Sequence, residues 1–344
     1  MNKSASRRTF LRQAGLALAA PLVWPAGPIA PLRAGPPAPA IRLSCVSWCF
    51  HGFGAGIDPE PAIDEIAALG FDGIELMVNQ EDDLTKLWTD AKVAQVRRKL
   101  TQHRLELVAL TPFFPMLVNL GSPDPARVQQ ALTNFERCCR LAQQLGTRRI
   151  EIIAPHVHEF TDKNGNLGIP SFMYKIDKFQ PGDKIRLQTP DHVDWPQIWT
   201  RLTGVLRECL VRARRYNLDL LVEPHYHSII PDTATFQLMW NELRDPAFQL
   251  TADTGWGSQQ AEYPPMMVYR MQQHLKILQF RDVDGQTRKF VPFGEGVVDT
   301  EAVVRALKDV GFNGYVSLEE VFMPTVRDDA RRFVATLREL IAAR

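Results

Sequence analysis

The stretch "LDLLVEPHYHS", Leu218–Ser228, starts as an apolar strand and turns abruptly into Glu-Pro-His-Tyr-His. Proline has no amide hydrogen to offer a sheet, so Pro224 ends the strand directly after Glu223. The polar cluster therefore sits at the C-terminal end of a strand. In one large class of folds that end carries the catalytic residues, and the rest of the chain decides whether this is such a fold.

Seven further β-rich runs read the same way: "IRLSCVSWCF", "FDGIELMV", "LELVALTPFF", "RRIEIIAPH", "FQLTADTGW", "LKILQFRD" and "GYVSLEEVF". Between them lie amphipathic helical patterns such as "ARVQQALTNFERCCRLAQQLG" and "TEAVVRALKDVG", several closed by Gly or Asn. Strands alternating with helices imply parallel βαβ units, and eight units fit a closed (β/α)₈ TIM barrel formed by one α/β domain. An open doubly wound sheet is the competitor, and no Gly-rich phosphate loop follows the first strand to support it. One connection is out of scale: after the fourth strand, a polar, turn-rich loop runs from about His158 to about Pro196. Loops of that length are lids, binding loops or solvated insertions.

The first forty residues read as an export signal rather than as part of the fold. "SASRRTFLRQAG" sets Arg7 and Arg8 before Phe10 and Leu11, and Ala38-Pro39-Ala40 offers a small-x-small cleavage site. This is the pattern of twin-arginine export to the periplasm, with the mature domain at 41–344. Pro21, Pro25, Pro28 and Pro31 leave no uninterrupted apolar span of about 20 residues, so no membrane anchor is expected once the signal is cleaved. The formal net charge of +1 gives no pull toward polyanions, which disfavours nucleic acid as a partner. The five cysteines lack zinc spacing, and Cys45 and Cys49 lie too far apart along a strand to bridge, so all five read as small buried hydrophobes.

Side chains on a strand alternate between barrel interior and helix layer. On that parity Glu223, Asp253, Gln279 and Glu319 each place an oxygen inward near the end of the fifth, sixth, seventh and eighth strands. They are spaced by roughly one βα unit, so they converge at the barrel mouth. Three carboxylates at one point repel unless a cation sits among them, and an all-oxygen set favours Mn²⁺ or Mg²⁺ over a structural zinc.

The segments "LVEPH", "TADTGW", "ILQFRDVDG" and "PFGEGVVDTEAVVRALKDVGFNGYVSLEE" resemble the strand ends of the xylose isomerase-like TIM barrels, the sugar phosphate isomerase/epimerase family. The resemblance implies that Glu223, Asp253, Gln279 and Glu319 are metal ligands and that Glu223 and Glu319 double as acid/base carboxylates. Glu320 would face away. It implies a small-molecule sugar substrate and proton transfer next to a carbonyl, giving an isomerase or epimerase; expulsion of a β-substituent instead would give a lyase or dehydratase on a keto-sugar or glycoside. The chain departs from the family at four places. Gln279 replaces the usual His, as in the similar dehydroshikimate dehydratases. Ile229, Trp256 and Gly285 stand where ketose 3-epimerases carry a substrate-holding Glu, a His and an Arg.

His225 shares the inward parity of Glu223 and is either a substrate contact or a structural histidine; His156 and His227 are weaker candidates of the same kind. Arg281 is an expected substrate contact. Glu75 and Glu151 have inward parity and would bind a sugar hydroxyl or neutralise a barrel arginine. Trp48, Phe113, Phe114 and Trp256 suit sugar stacking or simply core. Two other classes compete. A DNA-repair endonuclease of the same superfamily would need a histidine-rich zinc cluster and a basic groove, against eight histidines in all and a charge near zero. A non-catalytic periplasmic sugar binder would keep the aromatics without needing the carboxylates.

Overall fold

The computed structural model describes residues 40–160, 182, 184, 188–321 and 323–343. The expected export signal and most of the long loop after the fourth strand lie outside the described residues. Eight strands form the barrel: β1 (Ala40–Val46), β2 (Gly73–Val78), β3 (Glu106–Pro112), β4 (Arg149–Ile153), β5 (Asp219–Glu223), β6 (Phe248–Asp253), β7 (Leu275–Phe280) and β8 (Asn313–Leu318). They pair in chain order, all parallel, and β8 closes on β1 with Asn313 beside Ala40. This closure rules out the open doubly wound sheet. β1 takes in Ala40, one residue before the boundary expected from the sequence.

One principal helix follows each strand: α1 (Glu60–Ala68), α2 (Asp90–His103), α3 (Pro125–Leu145), α4 (Trp195–Arg215), α5 (Thr233–Leu243), α6 (Pro264–Met271), α7 (Thr300–Asp309) and α8 (Val326–Ala342). Thr89, Asp124, Asp194, Asp232 and Asp299 each accept a backbone N–H of the helix they precede. Such a cap contributes about 1 kcal/mol. At the other end Gly146, at φ 95°, takes the left-handed conformation that stops α3 and points the chain into β4. Among the described residues no helix is long and apolar enough to cross a membrane.

The barrel interior is layered. At the N-terminal rim Arg42 and Arg149 pair with Glu106, and Arg42 lies over the Tyr315 ring. Next comes an apolar plug of Val108, Ala109, Leu221, Ile277 and Tyr315. Above the plug the inward side chains become polar, which is where the site begins. All five cysteines are free and buried, as small hydrophobes. Cys45 lies on β1, but Cys49 has left the strand on a 3₁₀ turn, Ser47–Cys49, and is not held apart from it along a strand as expected; burial, and then the nearby Cys49 sulfur, push the Cys45 thiol up.

Candidate active site and metal centre

Glu223 and Asp253 are the last residues of β5 and β6, Gln279 is the penultimate residue of β7, and Glu319 follows β8 directly. The structure brings the three carboxylates together as the sequence parity requires, with one oxygen of each within 4.8 Å of the others, all buried. Each of the four side chains has one atom turned to a neighbour and one oxygen left without a hydrogen bond. Glu319 Oε1 accepts from the Trp48 indole at 2.9 Å while Oε2 is left open. Asp253 Oδ1 accepts the Trp256 backbone N–H at 2.7 Å, starting the short helix Thr254–Gln259, and Oδ2 has no hydrogen bond. Glu223 Oε2 lies 2.9 Å from His225 Nε2, with Oε1 open.

The fourth member is fixed from below. Gln279 Nε2 donates to Glu75 Oε2 at 3.1 Å and to Glu151 Oε1 at 3.2 Å, which leaves its buried Oε1 open. Turning the amide over would set its oxygen against two carboxyl groups, so the floor dictates which atom faces the mouth. Ser317 donates to Glu75, and Thr251 to Glu151 at 2.6 Å. Glu75 and Glu151 therefore neither bind a barrel arginine nor stand free for a sugar hydroxyl. Their work is to orient Gln279. Sequence parity pointed to both acids but not to Ser317 and Thr251, whose alternation with apolar neighbours on β8 and β6 carries the same signal.

Four buried oxygens without hydrogen bonds are costly unless something else satisfies them. A hard divalent cation is such a partner, and a three-carboxylate, one-amide set suits Mn²⁺ or Mg²⁺. The charge state agrees. Burial, and then the charge of Glu319, hold Glu223 well above the usual carboxylate range; burial raises Asp253 to about 8 despite the opposing pull of Arg281. Burial raises Glu75 to about 8 as well. A carboxyl whose pKa is higher folded than unfolded binds more protons in the native state, so stability falls as pH rises from the ordinary carboxylate range near 4 toward about 8. A cation at Glu223 and Asp253 removes their share of that loss. The gap in melting temperature between protein in EDTA and protein in Mn²⁺ is therefore expected to widen from about pH 6 to about pH 8. A gap that stays constant or narrows would speak against a cation at these carboxylates.

The other candidates are distributed unevenly. Arg281 lies in the cluster, its Nε 3.1 Å from Asp253 Oδ2 and its guanidinium against Glu319 Oε1. His225 packs on Trp256 with centroids 4.5 Å apart, and His227 bridges His225 and His156 edge-on at 5.0 and 4.3 Å. Burial lowers His225 to about 3 and His227 to about 2 and takes His156 well below its usual value, so this trio is uncharged. Trp48 proves to be the partner of Glu319 rather than a free stacking face. Phe113 is half-buried and stacks on Phe53 at 4.5 Å. Phe114 begins a short helix, Phe114–Leu117. Ile229 is buried in the apolar core, and Gly285 sits in the turn of a small hairpin joining Asp282–Val283 to Phe290–Val291, so neither holds a substrate.

The "PFGEG" segment is built around Asp282, whose carboxylate accepts the backbone N–H groups of Val283, Gly294, Gly296 and Val298. A Cβ at Gly296 would stand 2.1 Å from Asp282 Oδ1, which is why the second glycine is needed. Glu320 accepts the Phe293 N–H at 2.6 Å and faces away from the cluster, as expected.

Residues 63–340 match the family model described as xylose isomerase-like TIM barrel. L-ribulose-5-phosphate 3-epimerase UlaE of Escherichia coli (strain K12) is 25% identical over 278 residues, covering 80% of this chain and 86% of that protein. The D-psicose 3-epimerase of Clostridium cellulolyticum H10, solved with D-tagatose, shares the fold with a TM-score of 0.66 at 15% identity, over 88% of this chain and 100% of that one. The probable 3-DHS dehydratase AsbF of Bacillus anthracis gives a TM-score of 0.64 at 14% identity, over 86% and 98% of the two chains.

Proposed function

This chain belongs to the xylose isomerase-like TIM barrel family, and from that premise we propose that it is a metal-dependent isomerase or epimerase of a sugar or keto-sugar. The observation that carries the reading is the set of four buried side chains, three of them anchored at one atom by a hydrogen bond and all four presenting one open oxygen. Glu223, Asp253, Gln279 and Glu319 would hold the cation. Bound there, Mn²⁺ or Mg²⁺ would supply polarisation of a carbonyl or neighbouring hydroxyl.

The chain's own residues do the rest. Glu223 and Glu319 stand on opposite sides of the cluster in sequence order, on β5 and after β8, and serve as the base and acid that move the proton next to the carbonyl. Neutral His225 lies with its Nε2 2.9 Å from Glu223 Oε2, outside hydrogen-bond geometry, and is available to a substrate hydroxyl. Trp48 fixes the rotamer of Glu319 through the indole N–H. Returning the proton to the neighbouring carbon gives isomerisation, and returning it to the other face gives epimerisation. UlaE and the psicose epimerase are named for the second outcome.

A second reading is supported by Ile229 and Gly285, which replace the polar clamp expected for ketose epimerases: loss of a β-substituent would make the protein a lyase or dehydratase. Incubation with keto-sugars in deuterated water separates the readings. Deuterium at the carbon next to the carbonyl, with every substituent retained, is the expected result; an unsaturated product supports the lyase. Neither exchange nor elimination, in protein that purifies without stoichiometric metal, would leave a sugar-binding protein.

A further inference from the structure

Arg281 is buried, and its ion pairs are made with the same carboxylates that the metal reading needs. Its Nε faces Asp253 Oδ2 at 3.1 Å, yet neither atom completes a hydrogen bond, so the contact is electrostatic and poorly aligned. Its terminal nitrogen meets Glu319 Oε1, an oxygen already held by Trp48. The backbone beneath is pinned on both sides: Thr254 Oγ1 donates to the Arg281 carbonyl at 2.6 Å and accepts the Arg281 N–H at 3.0 Å. The guanidinium carbon lies 5.0 Å from the Trp256 ring centroid and 4.8 Å from that of Phe290. The same pose thus holds this cation between two aromatic faces as well as against the carboxylates, and the faces keep their hold if the carboxylates are taken by another cation.

Charge balance shows why it is there. Once a divalent cation has displaced the protons from all three carboxyls, their charges, the guanidinium and the ion together come to neutrality. With the guanidinium against Asp253 Oδ2, the arginine and the incoming ion compete for one oxygen. We propose that Arg281 is the resident counter-ion of the carboxylate cluster, and that a divalent cation takes its place beside Asp253 Oδ2, leaving the guanidinium held by the Trp256 and Phe290 faces and free to hold an oxygen of the substrate. This rests on the metal reading of the site. Arg281 thus opposes metal binding while serving the substrate, which is the reverse of what a fixed structural ion pair does.

The test measures Mn²⁺ affinity of the purified full chain by titration calorimetry at about pH 8.5, where the ion competes with fewer protons than at neutral pH. Arg281→Met keeps the apolar stem and removes the charge. It is expected to bind Mn²⁺ at least about tenfold tighter than wild type, the scale of one like charge removed from a few ångströms away, while KM for the substrate rises. Arg281→Lys keeps the charge and should stay near the wild-type affinity. Unchanged or weaker binding in Arg281→Met, with wild type binding one ion, overturns the proposal alone. No stoichiometric binding in wild type overturns the metal reading and the proposal with it. A measurement on wild type covers a variant that does not fold: the guanidinium ¹⁵N signal of Arg281 should shift and sharpen when Mg²⁺ is added, as its rotation is freed, and a spectrum that Mg²⁺ leaves unmoved overturns displacement.

Discussion

Glu319→Gln is expected to lower turnover by about 10²-fold or more, the typical worth of a general acid or base, while metal binding largely survives. The amide keeps one oxygen for the cation and turns its NH₂ group toward the Trp48 indole N–H, so proton uptake and the indole hydrogen bond are lost together. In that variant, solvent deuterium entering the carbon next to the carbonyl without product formation assigns Glu223 as the first base. Loss of the exchange assigns Glu319. Near wild-type turnover in both Glu319→Gln and Glu223→Gln would remove the paired-carboxylate mechanism while leaving the barrel and the cation untouched.

Asp253→Ala should strip the site of metal. Loss of a partner that merely supports a ligand costs about 10–100-fold in affinity, and this change removes a ligand itself. It also removes the acceptor at the start of Thr254–Gln259 and one of the two carboxylates that face Arg281. Metal content of the purified variant should fall to background, and activity with it. If elemental analysis instead finds the variant carrying one ion per chain, the cation lies elsewhere.

The eight strands and the convergence of four oxygen donors were legible because both depend on local pattern. A period-2 run ended by Pro224 fixes where β5 stops, and parity then says that Glu223 points inward. The partners of those donors were not legible. Trp48 reaches Glu319 across the β8–β1 seam, and Gln279 reaches Glu75 and Glu151 across the interior of the barrel. Such contacts are set by strand tilt and register, which no stretch of sequence encodes by itself. Arg281 was expected to touch substrate, but its pairing with Asp253 and Glu319 depends on the space left by Gly255, where a Cβ would come within 2.8 Å of the Arg281 Cβ. The fate of Glu75 and Glu151 was misjudged for the same reason: parity says inward but not at which height or against whom.

The two-pronged hold on Gln279 limits which side chain can stand there. An amide offers two N–H groups and one oxygen, so it satisfies both floor acids and still presents an acceptor to the mouth. An imidazole that gives one nitrogen to a cation has only one N–H left. Exchanging Gln279 for histidine would leave either Glu75 Oε2 or Glu151 Oε1 without its donor, each acid then being held by Ser317 or Thr251 alone. Positions 75, 151 and 279 therefore form one hydrogen-bonded unit, in which the choice of side chain at the rim is constrained by two acids on the floor.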